Sequence, residues 1–203
     1  MWALIEDGSI TKIINKPRGM VIDDIQYSRN IFSFRWTNAE REAIGLYEVV
    51  FDDTNKKDEA YYTNTNQTFA FAGGVVTASY GSATAKPHAD TLFTAQDEID
   101  GKGTEGEVAV EGLKTKKIRT IKQQAASELA NTDWYIVRKA DADTSVPSAI
   151  TNHRAAVRTK CAEMETAITN AADTPAIETL YTYTKQEDGS VTRPLGEMPT
   201  LEV

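Results

Sequence analysis

Three residues invite a search for chemistry: Cys161, His88 and His153. A nucleophilic cysteine needs a nearby base and some exposure. Cys161 instead sits in the middle of an apolar series, which reads as a small buried hydrophobe. Zinc sites use sets of Cys and His at short spacings, and one cysteine with two separated histidines makes no such set. His153, beside Arg154, is expected at a helix flank. The run "DGKGTEG" has the look of a phosphate loop, but Gln96 stands where the first glycine belongs and Gly103 where the hydroxyl belongs. The acids in "VIDDIQ", "VFDDTN" and "KADADTS" lack the alternating oxygens and distal Glu of a calcium loop and read as turn formers. The basic run Lys114–Lys122 carries five positive charges and reads as the solvated face of a helix. No catalytic, cofactor or metal residue is therefore singled out.

The elements that would position these residues fall into two halves. The first reads as strands and turns. Asp7-Gly8 between "WALIE" and "SITKIIN" is a hairpin signal, as is Gly73-Gly74 between "QTFAFA" and "VVTASYG". "WTNAEREAIG" is a short helix with Thr37 and Glu40 spaced as a capping box and Gly45 just past its end. The last third changes period. Ile118, Ile121, Ala125 and Leu129 recur at helical spacing, as do Ile150, Val157, Cys161, Met164 and Ile168. Pro147 suits the first turn of the second helix, and "NTDWYIVRKADADT" reads as the connection of an antiparallel pair. The expected class is α+β: a β-rich N-terminal domain over 1–92 with one short helix, an acidic, glycine-containing linker over 93–111, and a helical hairpin with an extended tail over 112–203.

Composition narrows the classes further. With 203 residues, 40% of them hydrophobic, the chain can bury real cores. A net charge of -8 opposes general nucleic-acid binding, and no apolar run approaches membrane-span length. The start "MWALIEDGSI" has no basic region followed by a long apolar core, so no signal peptide is expected. A single cysteine fits a reducing cytoplasm or a particle assembled there.

The residues from "IRTIKQQAASELANTDWYIVRKADADTSVPSAITNHRAAVRTKC" resemble the C-terminal module of bacteriophage tail-fibre assembly and related tail proteins. The likeness lies in Thr132-Asp133-Trp134, the Val146-Pro147 step and Arg154-Ala155-Ala156-Val157-Arg158, and covers roughly 113–170. The opening hairpin, short helix and "GLYEV" strand resemble the starting module of small phage tail proteins. The resemblance implies a non-enzymatic virion component at a tail fibre, baseplate or adaptor. Such a protein is made in the host cytoplasm and attaches to other tail proteins in multiple copies. A tail-fibre assembly chaperone absent from the virion is the alternative it implies. The large β-rich front half favours the particle component. Trp2, Trp36, Trp134, Pro147, Arg154, Val157, Arg158, Cys161 and Met164 are the candidate structural and interface residues.

Overall fold

A computed structural model describes residues 1–201. The chain divides into two compact units, Met1–Thr84 and Ala85–Val203.

Unit 1 begins with β1 (Trp2–Glu6) and β2 (Ser9–Ile14), joined where Asp7 and Gly8 both take positive φ. The short hairpin β3 (Met20–Ile22) and β4 (Ile25–Tyr27) turns through Asp23 and Asp24, again at positive φ. Aspartate tolerates this conformation better than most residues, so the "VIDDIQ" acids are turn formers as expected. A 3-10 turn (Arg29–Phe32), α1 (Asn38–Glu42) and β5 (Leu46–Asp52) follow. The α1 capping box forms as read: Glu40 accepts from the Thr37 backbone N–H at 2.7 Å, and Thr37 Oγ1 accepts from the Glu40 N–H. Gly45 has φ +76, and a Cβ there would stand 2.5 Å from the Ile5 carbonyl oxygen, so glycine is required twice over. The unit closes with β6 (Tyr62–Thr63), β7 (Gln67–Ala72) and β8 (Val75–Tyr80), and β9 (Thr84–Ala85) lies at the division.

The five-stranded sheet runs β2-β1-β5-β8-β7, antiparallel except for the parallel β5–β8 pair. Both faces of β1 are covered, which explains its unbroken apolar run. Leu4 packs with Ile14, Met20, Ile22, Ile31 and Leu46; Ala3 and Ile5 pack with Val49, Val76 and Ala78 on the other side.

Unit 2 comprises β10 (Thr91–Leu92), α2 (Ala95–Ile99), β11 (Val108–Val110), α3 (Leu113–Ala130), α4 (Asp133–Ala142), α5 (Ser148–Asn170), α6 (Thr174–Tyr181) and the hairpin β12 (Thr184–Lys185) with β13 (Val191–Thr192). Helices α3 and α5 are antiparallel. Leu129, near the end of α3, bonds Arg154, near the start of α5, while Lys122 meets Glu165 and Lys114 meets Thr169. Their seam holds Ile121, Met164 and Ile168, joined by Leu195 of the tail, whose N–H donates to the Leu180 carbonyl. The class is α+β, with the strands in front and the helices behind.

Three readings need correction. The division falls after residue 84, not 92, and residues 93–111 carry structure of their own: α2 lies within them, and β11 pairs with β10 just ahead of them. Thr94 and Asp97 form a capping box and Lys102 pairs with Asp97 and Asp100, so local hydrogen bonds organise a stretch whose composition suggested a linker. The connection between the long helices is itself helical, as α4. Pro147 stands one residue before α5 rather than inside its first turn.

Candidate interaction surface

Helix α4 grows from the end of α3 across only two residues. Neither helix terminus there has a side-chain cap of the ordinary kind. Arg154 replaces it. Its Nη1 donates to the Leu129 carbonyl at 2.7 Å and to Thr132 Oγ1 at 2.7 Å, and lies 2.8 Å from the Asp133 carboxylate. Thr132 Oγ1 in turn donates to the Leu129 carbonyl. One buried guanidinium thus joins Thr132 at the Leu129 carbonyl in the last turn of α3, where a cation is favoured, and pairs with the first residue of α4. Thr132, Asp133 and Arg154 form one bolt, although 22 residues separate Thr132 from Arg154.

The bolt holds out a helix that buries none of its residues. Trp134 is 51% exposed and Val137 64%, with Ile136 also open to solvent. The Arg138 guanidinium lies 4.7 Å from the Trp134 ring centroid, and the Tyr135 ring packs 4.0 Å from it. Trp134, Val137 and Arg138 share one side of the helix at spacings of three and four, and an exposed aromatic with a stacked arginine has the composition of a protein-binding hot spot.

The remaining candidates separate from this face. Val157 and Met164 are fully buried. Cys161 is half-buried and donates to Glu165 at 3.3 Å; burial first, then that carboxylate, push its thiol above the usual range, which disfavours the thiolate. Arg158 and Pro147 are exposed. His153, expected at a flank, is buried in α5 beside Arg154, because the helix turns that edge toward the bolt. Trp2 and Trp36 line the unit 1 core instead: Trp2 meets Phe32 edge-on, Trp36 meets Tyr27, and Arg41 lies 4.7 Å over the Trp2 ring.

The basic run on α3 is largely spoken for within its own unit. Lys114 donates to the Thr169 carbonyl, Lys117 lies 4.4 Å over Tyr181, Arg119 pairs with Glu111 and Lys122 with Glu165. Among the described residues, no three His, Cys, Asp or Glu side chains converge to hold a metal ion. No described helix is long and apolar enough to cross a membrane. Sequence reasoning missed two carboxylates with positioning roles. Asp90 accepts from the Gly112 N–H and Thr115 hydroxyl, capping α3 from 22 residues away. Asp97 caps α2, and the Thr94 hydroxyl, the Thr94 N–H and Lys102 hold its carboxyl down to about 2. Thr94 three residues ahead of Asp97 was the available signal for the second; nothing local marks the first.

No family model matches the chain, and neither a curated protein nor a solved structure shows significant similarity to it.

Proposed function

We propose that the chain is a non-enzymatic tail component of a bacteriophage, a fibre, baseplate or adaptor protein that attaches to other tail proteins. The observation that carries this reading is helix α4: exposed aromatic and apolar side chains that no core of its own unit covers, on a helix tied at its base by Arg154. A surface of that kind is built to be covered by another protein. The sequence resemblance over 113–170 supplies the setting, and the residues that carry it, Thr132, Asp133, Trp134 and Arg154, are those that build and present α4. On this reading the protein is made in the host cytoplasm and resides in the virion tail in multiple copies, with no membrane or specific nucleic acid as partner and no bound cofactor.

The test is mass spectrometry of gradient-purified virions beside a lysate of infected cells. The tail-component reading expects the intact chain in the particles at a fixed ratio to other tail proteins. Abundance in the lysate with none in the particles would replace it with the assembly-chaperone reading, in which α4 holds a client and then leaves.

A further inference from the structure

The loops of unit 1 between β2 and α1 gather four basic residues, Lys16, Arg18, Arg29 and Arg35, all exposed. None of the four forms an ion pair among the described residues. The segments that carry Arg18, Arg29 and Arg35 touch. A Cβ built on Gly19, next to Arg18, would lie 4.0 Å from the Arg29 nitrogen, and Trp36, next to Arg35, packs at 6.0 Å on Tyr27, two residues before Arg29. Phe34 stands in these loops with 94% of its surface in water, the most exposed large apolar side chain described. The acids of the region do not offset the patch: Asp23 and Asp24 occupy the far tip of the β3–β4 hairpin, and Glu40 is committed to the α1 cap. The loops thus carry an exposed apolar side chain and four cations without ion pairs, on a chain whose net charge is -8.

The chain also carries the complement. In the segment Asp97–Glu107, five acids stand against the single Lys102, a net charge of four negatives facing four positives. In it Ile99 is 79% exposed, flanked by Glu98 and Asp100. We infer that the loops carrying Phe34, Lys16, Arg18, Arg29 and Arg35 dock onto the Asp97–Glu107 segment of a second copy of this chain, with Phe34 seated against Ile99. Opposite charge steers the encounter and fixes orientation, and the apolar pair supplies short-range burial. The two faces differ, so the contact is heterologous and propagates head to tail into a ring or a filament. The inference does not rest on the tail reading: a self-associating chain absent from virions, or a monomeric chain present in them, would separate the two.

Sedimentation velocity on the full chain tests it. In low salt the mean mass should rise with protein concentration, and in about 1 M salt, where screening acts within about 3 Å, it should fall back to the monomer. Phe34→Ser, and separately the triple change Arg18→Glu, Arg29→Glu, Arg35→Glu, should each abolish association while circular dichroism and the melting temperature stay near wild type. Mixing the triple variant with Glu105→Lys, Glu107→Lys chains should restore a mixed assembly that neither forms alone. A wild-type chain that stays monomeric in low salt overturns the inference. So does association that survives the triple change, or capture of single-stranded DNA by the arginine face without self-association.

Discussion

Each unit buries one arginine against backbone carbonyls, and the two arginines end differently. Arg41 donates to the Ile31 and Ser33 carbonyls and to Asn38 Oδ1, under the ring of Trp2, so the loop it ties down is roofed by aromatic side chains. Arg154 ties the end of α3 to α4 with equal economy, but the helix it positions stays uncovered. The same device closes a core in one unit and holds out a surface in the other. What an arginine of this kind accomplishes is therefore decided by the side chains beyond it: Trp2, Phe32 and Trp36 fold back, while Trp134, Ile136 and Val137 do not.

The comparison is broken most severely at Arg41. Arg41→Ala strands the Ile31 carbonyl, leaves the Ser33 carbonyl with the Trp36 N–H alone and removes the cation over Trp2; it should cost about 3–4 kcal/mol, read by denaturant unfolding of the full chain. Arg154→Ala removes the charged donor to the Leu129 carbonyl and Thr132 Oγ1, but those two keep their bond to each other, and the Asp133 partner is exposed and can rehydrate; we expect about 2 kcal/mol. Hydrogen exchange should show α4 losing protection before α3 and α5 do. Equal exchange across all three helices would mean that Arg154 supports the bundle generally and does not bolt α4.

The tryptophans sharpen the contrast. Trp2→Ala should cost about 2 kcal/mol, less than a fully buried ring because Trp2 is only partly buried. Trp134→Ala should change stability by less than about 0.5 kcal/mol while removing attachment to the partner. A large loss of stability at Trp134 would identify α4 as core. The smallest effect is electrostatic. Hydrogen bonds from Thr94 and the Lys102 ammonium depress the Asp97 pKa in the folded state, so its contribution is fully present above the unfolded value near 4 and is lost as pH falls toward about 2. Chemical shifts of Thr94 and Asp97 should titrate in that window, with Lys102→Ala moving the midpoint up and unit 1 indifferent.

Most local features were legible from residue type. Asp7-Gly8, Gly73-Gly74, the Thr37–Glu40 box and Gly45 each need one backbone geometry that few other residues supply, and the periods of Ile118–Leu129 and Ile150–Ile168 marked both faces of the α3–α5 seam. Helix α4 was not legible, because periodicity reports a helix by the core it faces and this helix faces none. The bolt was hidden for another reason: Arg154 meets Thr132 and Leu129 only after α5 folds back along α3, so no spacing in the chain announces it. The same holds for Asp90 at the start of α3. The acidic stretch misled because composition describes solubility, whereas the Thr94–Asp97 box and Lys102 decide its conformation.

The strand order of unit 1 has a consequence in time. β1 can zip to β2 as soon as both exist, since Asp7-Gly8 holds them in register. Its other edge waits for β5, some forty residues on, and β5 waits for β8 across a parallel crossover that no tight turn can make. Pairings of such long sequence separation are slow to find, and the α3–α5 seam, with Lys114 bonded to Thr169, is no more local. Until β5 arrives, the β1–β2 hairpin waits with the Trp2–Glu6 edge open to any strand that passes.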